Sequence, residues 1–291
     1  MVSRIIRRFI EPLRFLLGKA AYARLEFFHE MGYWPSLSSP KSFSEKVLRR
    51  KLKNDHSLAS SVVDKWAVRD YVLSRTHKPE ILNEVFYRGR VSKDIPFDDL
   101  PSRFVIKLTH GSGWNFIVKD KGLIQRQEII DKCNYWLGLK YSVSSRNYLE
   151  THYDRVLPQV IVESFLEDSQ YGIPLDYKFF CFHGKAYCIQ VDIGRFVDHK
   201  RNFYDINWNQ LPFALKHPRG MNIPRPKKLT EMINIAEQLA VEFDFCRVDL
   251  YSPDDKAVIF GEITLIPGSG YEKFNPREWD YILGGKWSLP A

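Results

Sequence analysis

The sequence predicts an α+β protein with largely antiparallel sheets, preceded by a helical N-terminal region. Up to about residue 75, apolar positions recur at helical spacing, whereas later segments rich in β-branched and aromatic residues are separated by short turns. Two pairs of these segments meet across such turns and predict hairpins: 176–182 with 186–192, and 247–251 with 260–266. Strands and helices do not alternate strictly, which argues against a doubly wound parallel sheet.

The predicted helices begin with residues 4–20, where an apolar stripe lies opposite a face of arginines and Pro12 interrupts the pattern. Residues 32–40 predict a loop. Further helices are expected at 42–53, 61–74, 125–141 and 230–243.

Strands are expected where short apolar runs carry a period of two. In chain order they are 81–87, 104–109, 116–119, 160–165, 176–182, 186–192, 247–251 and 260–266. The polar segment 142–157 and the proline-rich segment 212–226 are expected to be loops.

The charge is unevenly distributed along the 291 residues. The chain holds 43 Lys/Arg and 35 Asp/Glu, a net charge of +8, and residues 1–53 hold 12 and 4 of these, which is already +8. The remainder is neutral, with 31 of each sign, which excludes a broadly basic nucleic-acid-binding body. Two interpretations of the cationic segment stay open: packing against the protein's own body or a partner, and docking on an anionic membrane surface.

The composition predicts a folded cytoplasmic protein, with peripheral contact at the inner face of the membrane left open. No apolar stretch approaches the ~20 residues of a membrane span, and no cleavable signal peptide is evident. The four cysteines show no metal-like spacing, so buried free thiols are expected: Cys133, Cys181, Cys188 and Cys246.

The hairpin near residue 255 predicts an acidic face. Strict alternation sends Val248, Leu250, Ile259 and Ile263 to a core, and Arg247, Asp249, Glu262 and Thr264 to the other face. Two carboxylates meeting there repel unless a cation lies between them, and oxygen-only ligands suit Mg²⁺. The alternative is an ordinary half-exposed hairpin with a solvated polar face.

A second candidate feature is a lysine on a strand that runs into a glycine loop. Lys107 precedes Gly111, Ser112 and Gly113, and such glycines let backbone N–H groups approach a phosphate. The Walker A pattern is absent, and an ordinary turn is the alternative. Glu163 at a strand end, and Asp176 with Lys178 on one face, are ordinary solvated groups when each is taken singly.

Taken in order, these segments resemble the ATP-grasp superfamily, and in particular its TupA-like branch, associated with cell-surface polysaccharide and teichuronopeptide synthesis. The matching phrases are residues 32–35, 64–69, Lys107 with 110–113, 176–180, 247–251, 261–264 and 267–270, within a resemblance over about 32–290. It implies two α+β subdomains with largely antiparallel sheets that grip ATP. The expected division is 1–60, 61–163 with the glycine flap, and 164–291 with the metal-binding hairpin.

The resemblance also implies roles for matching residues. Lys65, Lys107 and the flap Gly111, Ser112 and Gly113 would bind the phosphates of ATP; Glu163, Phe165 and Leu166 would bind adenine, and Asp176 the ribose. Arg247 would steady the transferring phosphate, and Lys178 would face phosphate or acceptor. Asp249, Glu262 and Thr264 would bind Mg²⁺, Thr264 standing where many relatives have Asn, and Trp114 stands where relatives often have Gly. Gly268, Ser269 and Gly270 would contact the acceptor. Arg195 and Arg201 are basic candidates for an acceptor contact, and the alternative for them is an ordinary solvated charge run.

The activity implied is that of an ATP-dependent carboxylate–amine ligase acting through an acylphosphate. Its expected partners are a uronic acid of a capsular or cell-surface polysaccharide, free or lipid-linked, and an amino acid or small amine. Three alternatives stay open: a sugar kinase that uses the same ATP site, a glycosyltransferase of the same pathway, which the absence of Asp-x-Asp disfavours, and a non-catalytic nucleotide sensor.

Overall fold

The computed structural model describes Leu13 and residues 16–53, 59–142, 149–194 and 198–289. These ranges contain seven α-helices and eleven β-strands. The amphipathic helix predicted over 4–20 and the candidate Arg195 fall largely or wholly outside the described residues. Within the described ranges, no helix is long and apolar enough to cross a membrane.

The helices are α1 Lys19–Met31, α2 Phe43–Lys53, α3 Ala59–Val63, α4 Val68–Thr76, α5 Arg126–Leu137, α6 Leu229–Ala240 and α7 Glu278–Lys286. They follow the predicted order, except that one predicted helix is divided into α3 and α4 and that α1 and α7 were not predicted. The single helix predicted over 61–74 is wrong, because the chain turns between α3 and α4. There the Asp64 carboxylate accepts hydrogen bonds from the backbone N–H groups of Trp66 (2.8 Å) and Ala67 (3.3 Å), which competes with helical bonding.

The strands form two principal sheets in which every pairing is antiparallel, so the predicted α+β class is confirmed. The first sheet has the order β1-β4-β2-β3, with β1 Val85–Gly89, β2 Phe104–Leu108, β3 Asn115–Val118 and β4 Val160–Ser164. The second has the order β10-β9-β5-β6-β7, with β5 Asp176–Phe182, β6 Lys185–Ile193, β7 Lys200–Asp205, β9 Phe245–Tyr251 and β10 Ile259–Thr264. A two-stranded sheet pairs β8 Ala214–Leu215 with β11 Phe274–Asn275.

Each principal sheet buries one face. Phe104, Ile106 and Leu108 of β2 are buried, as their alternation predicts, and share a core cluster with Cys133 of α5. The second sheet packs one face against α6, whose buried positions follow the helical spacing: Leu229, Met232, Ile235, Ala236 and Leu239. The opposite face of the second sheet is polar over much of its width. All four cysteines are free and buried, which confirms the prediction.

Helix α2 is embedded in the second sheet's core. Phe43 packs edge-on against Phe245 at a ring distance of 5.0 Å and lies 5.7 Å from the ring of Trp287. The Asp280 carboxylate of α7 accepts hydrogen bonds from the backbone N–H and hydroxyl of Ser44, at 2.8 and 3.0 Å. The last part of the cationic segment is therefore a structural component of the fold.

The acidic hairpin departs from strict alternation at one residue. Phe260 pairs with Leu250 and Glu262 pairs with Asp249, so Gly261 is an extra residue that forms a β-bulge. Phe260 therefore shares the buried face, whereas Ile259 is only half-buried. The assignment of Ile259 to the core was wrong, because the bulge shifts the period by one residue.

Candidate active site

A cleft of about 960 Å³ lies between the two principal sheets. Most of the residues predicted for the site line it: Lys65, Lys107, Ser112, Gly113, Glu163, Asp176, Lys178, Arg201, Arg247, Asp249, Glu262, Thr264, Gly268 and Ser269. The remaining described candidates, Gly111, Phe165, Leu166 and Gly270, are not among its lining residues. The lysines of the first half and the carboxylates of the second half thus share one cavity.

The first sheet contributes a lysine paired with one carboxylate. Lys107 on β2 and Glu163 on β4 lie on adjacent strands, and Lys107 Nζ is 2.6 Å from Glu163 Oε2. The side chain of Lys107 remains 28% exposed, whereas that of Glu163 is buried. The positive charge of Lys107 therefore stays accessible from the cleft.

A second lysine reaches the glycine loop from the turn between α3 and α4. Lys65 Nζ donates a hydrogen bond to the carbonyl oxygen of Gly111. Burial lowers the pKa of Lys65 to about 8; Glu262 opposes this shift and nearby Lys107 adds to it. The turn that divides the predicted helix is thus what presents this lysine to the cleft.

The glycine loop is held by an aromatic cluster on its outer side. The Trp114 ring stacks with Trp136 at 6.3 Å and meets Tyr141 edge-on at 5.4 Å. A Cβ added at Gly111 would lie 2.6 Å from the Trp114 ring, so the ring requires a glycine there. Trp114 therefore packs against the first sheet's core cluster rather than into the cleft.

The second sheet contributes a network of buried charges centred on Arg247. Its guanidinium grips Asp249 in a bidentate pair, with Nε–Oδ1 and Nη2–Oδ2 both at 2.7 Å. Nη2 also lies 3.2 Å from Glu262 Oε1 and 3.1 Å from the Thr264 hydroxyl, which itself donates to Glu262 Oε1 at 2.9 Å. All four side chains project from the β9–β10 hairpin to the cleft face.

Lys178 extends this network onto β5. Its ammonium donates to Asp249 Oδ2 at 2.7 Å and also to Asp176, and the side chain is only 7% exposed. Burial acts to lower the pKa of Lys178, but the two adjacent carboxylates outweigh it and raise the pKa. Burial likewise opposes ionisation of Glu262, yet Arg247 and Lys178 lower the pKa of Glu262 to about 2. The network carries three negative and two positive charges.

The donor set of this network suits a hard divalent cation. Among the described residues no three His, Cys, Asp or Glu side chains form a preorganised metal cluster, so substrate oxygens would have to complete the coordination. Glu262 is the most available ligand, because its side chain is 43% exposed and Oε2 has no hydrogen-bond partner among the described groups. Both oxygens of Asp249 are engaged by Arg247 and Lys178, and the Thr264 oxygen is used within the network.

The loop Pro267–Gly270 is fixed by residues that the sequence did not single out. Ser269 adopts a positive φ of 60°, and its hydroxyl donates to the buried carboxylate of Glu150. Lys51 of α2 donates to the carbonyl and hydroxyl oxygens of Ser269 at 3.2 and 3.0 Å. These partners lie 119 and 218 residues from Ser269, so no local pattern could have revealed them.

The far end of the cleft, beyond β6, contains a group of basic side chains. Arg201 of β7 pairs with Asp192 (Nε–Oδ1 2.6 Å) and Glu272 (Nη1–Oε2 3.1 Å). His199 and His217 also line the cleft and stack on one another. His217 has no ligand spacing to other histidines in the sequence, and nothing near it in the chain indicates a site.

A cleft between two antiparallel sheets, with lysines from one side and paired carboxylates from the other, fits the ATP-grasp class of proteins. The TupA-like ATPgrasp family model matches residues 45–288, and the chain belongs to that family. Members of the ATP-grasp superfamily are ATP-dependent ligases. A search of the curated proteins found no match.

Among solved structures, the chain is similar to ATP-grasp ligases at low identity. A D-alanine–D-alanine ligase from Bacillus anthracis complexed with ATP is 16% identical, with 72% of this chain and 56% of that chain covered and a TM-score of 0.40. N5-carboxyaminoimidazole synthetase from Staphylococcus aureus is 12% identical, with 79% and 52% covered and a TM-score of 0.41. The chain thus spans between half and three fifths of the length of these enzymes.

Proposed function

We propose that this protein is an ATP-dependent carboxylate–amine ligase that activates a carboxylate as an acylphosphate and transfers it to an amine. The observation that carries the proposal is the meeting of Lys65 and Lys107 with Asp249 and Glu262 in one cleft. Two cations and two carboxylates around one cavity suit a nucleoside triphosphate with its magnesium ion.

Each group has a function that its position supports. Lys65 and Lys107 would neutralise the phosphates, and Arg247 would orient the phosphate being transferred. Glu262 and Asp249 would hold Mg²⁺, which when bound neutralises charge on the β- and γ-phosphates. A carboxylate substrate attacks without needing a base, so positioning and charge neutralisation suffice for this step.

The acceptor proposed is a uronic acid of a cell-surface polysaccharide or of its lipid-linked precursor, joined to an amino acid or small amine. Membership of the TupA-like family and the basic groups at the far end of the cleft support an anionic acceptor. The Ser269 loop, held by Lys51 and Glu150, would contact it.

A sugar kinase that used the same site would need a general base beside the acceptor hydroxyl. Asp176 and Asp249 are both bonded to Lys178, and the low pKa of Glu262 makes it a weak base. These three carboxylates of the network are therefore poorly placed to act as the general base that a kinase would need.

The ligase proposal is tested by incubating the purified protein with ATP, Mg²⁺, hydroxylamine and a panel of uronates. Hydroxylamine captures an acylphosphate as a hydroxamate, so the expected result is equimolar ADP and hydroxamate, detected by mass spectrometry. A stable phosphorylated sugar without hydroxamate would support the kinase instead. Absence of both products with every uronate would remove the basis of the ligase proposal.

We also propose that the N-terminal region contacts an anionic membrane surface. Leu16 is 81% exposed, and Trp34 is 60% exposed and stacks on the exposed ring of Phe28 at 4.7 Å. Exposed apolar and aromatic side chains beside a cationic segment suit the interface of an anionic bilayer.

A further inference from the structure

The far end of the cleft is built on strands other than those that carry Asp249 and Glu262. Arg201 lies on β7, three strands away from Asp249 on β9 in the order β9-β5-β6-β7. At ~4.8 Å per strand this separation is about 14 Å. If a nucleotide binds between Lys107 and Asp249, as proposed above, the His199 and His217 end of the same cleft is left for a second ligand.

Arg201 organises this end through the two carboxylates that it pairs with. The buried guanidinium pairs with Asp192 and Glu272, and it also donates to the Leu215 carbonyl oxygen at 3.3 Å. Burial acts to raise the pKa of Asp192, but Arg201 and Lys178 outweigh it and hold that pKa well below its usual range. Both carboxylates are therefore ionised and compensated by cations.

Two imidazoles and a lysine remain to face the cavity. His199 and His217 stack with ring centroids 3.7 Å apart and planes inclined by 27°, and His199 Nε2 lies 3.1 Å from Asp192 Oδ1. Lys216 pairs with Glu272 at 3.1 Å, whereas Lys273 is exposed at the rim. The pairing of β8 with β11 brings Lys216 and His217 beside Glu272 and Lys273.

The charges at this end leave a net positive site. Arg201, Lys216 and Lys273 give +3, and Asp192 and Glu272 give −2, before the imidazoles are counted. The cations beside His217 oppose a further positive charge on its ring unless an anion joins them. In agreement, burial, His199, Arg201 and Lys216 lower the pKa of His217.

We propose that the far end of the cleft is a second oxyanion site, in which His199, His217 and Lys273 bind a phosphate or carboxylate group of the acceptor. Binding favours a proton on His217, because the oxyanion supplies a negative charge beside that ring. The identification of the ligand as the acceptor rests on the ligase proposal, whereas the existence of the oxyanion site does not depend on it. An acceptor that also presents the reacting carboxylate then carries two anionic groups, which favours a phosphorylated or multiply charged glycan over a small uronate with a single charge.

The test follows the histidine ring resonances of the full chain by NMR, with a non-hydrolysable ATP analogue and Mg²⁺ saturating the nucleotide site. The probes are inorganic phosphate and D-glucuronate, with neutral D-glucose as the control ligand. Single variants His199→Gln and His217→Gln assign the two rings, and exposed His77 provides the matched control variant His77→Gln.

The expected result is a saturable shift of both ring resonances with phosphate or glucuronate and a rise in the titration midpoint of His217. Lys273→Ala should weaken the response about three- to fivefold, the effect of one exposed charge, whereas His77→Gln should leave it unchanged. The tighter probe identifies the group as phosphate or carboxylate. The proposal would be overturned if neither probe shifted the ring resonances. It would also be overturned if Lys273→Ala and His199→Gln, with the His217 ring as the reporter, left the Kd of the probe unchanged. No turnover is required, so failure of the ligase assay leaves this result interpretable.

Discussion

One lysine of each principal sheet faces the cleft, and the two lysines differ in their exposure and in the number of carboxylates that they meet. Lys107 of the first sheet is 28% exposed and meets one carboxylate, whereas Lys178 of the second sheet is 7% exposed between two. An accessible ammonium can exchange its partner for a phosphate at little cost, but a buried one cannot leave two carboxylates unpaired. The first lysine thus suits ligand binding and the second holds the site together.

The largest expected effect comes from removing the buried lysine. Lys178→Met should lower the free energy of unfolding by about 3–5 kcal/mol, because Asp176 and Asp249 would face each other without a cation. Lys107→Met should lower it by less, because Lys107 is partly exposed and leaves one carboxylate unpaired rather than two. Urea denaturation measures both, with exposed Lys185→Met as the control. Equal losses for Lys107 and Lys178 would break the comparison.

The second prediction tests whether the exposure of a side chain, rather than the sheet that carries it, decides between a structural and a catalytic role. Glu262 belongs to the charge network of the second sheet, but its side chain is 43% exposed, so Glu262→Gln should preserve the fold. The same change should reduce turnover roughly 10²- to 10³-fold, because it removes one preorganised charge at the reacting phosphate. ATP-dependent hydroxamate formation and thermal unfolding measure the two quantities. Loss of folding in this variant would place Glu262 with Lys178 as a structural residue.

The third prediction concerns the accessible lysine as a ligand. Lys107→Met should weaken ADP binding about ten- to hundredfold, the loss of one charge-assisted hydrogen bond. Calorimetric titration gives the Kd, and Lys119→Met on the loop after β3 is a control of the same type. Unchanged ADP affinity in the Lys107 variant would exclude its role at the phosphates.

The fourth prediction follows from the pKa of Lys65, about 8. Its ammonium binds phosphate only when protonated, so the ADP affinity should fall as pH rises above 8, by at most about tenfold per unit. Lys65→Arg should flatten this dependence, since a guanidinium stays charged. In the unfolded chain Lys65 regains its ordinary pKa of 10.5 and binds more protons, so its contribution to stability rises between pH 8 and 10.5. A flat wild-type profile would show that Lys65 does not meet the phosphates.

The smallest effect is expected outside both sheets. Trp34→Ser should weaken co-sedimentation with anionic vesicles roughly fivefold, because partial burial of the aromatic ring contributes on the order of 1 kcal/mol. Tyr135→Ser, equally exposed at 60% on α5, is the matched control. Equal losses in the two variants would contradict a membrane surface at Trp34.

Local patterns in the sequence predicted much of the second sheet and its polar face. The period of two brought Arg247, Asp249 and Glu262 to one side, and the structure has them there. The same rule failed at Ile259, because nothing in a strand's composition marks which glycine will form a bulge. The helix predicted over 61–74 failed because the capping of Asp64 outweighed an apolar period.

The contacts that sequence reasoning missed join distant parts of the chain. Lys51 and Glu150 hold Ser269, and no periodicity reports on such long-range pairs. His217 reaches the cleft through the short pairing of β8 with β11, two strands of two residues each that no pattern could distinguish from loop. The roles assigned to individual site residues stay predictions until the variants above are measured.

The packing of α2 against α7 and the Ser269 loop has a consequence for biosynthesis. During translation, α2 leaves the ribosome more than 200 residues before its partners at Leu265, Ser269 and Asp280. Its apolar face is therefore exposed to solvent or bound by a chaperone while the rest of the chain is synthesised. Ribosome-stalled chains that end before residue 265 should thus be protease-sensitive at α2, and protection should appear only once α7 has emerged.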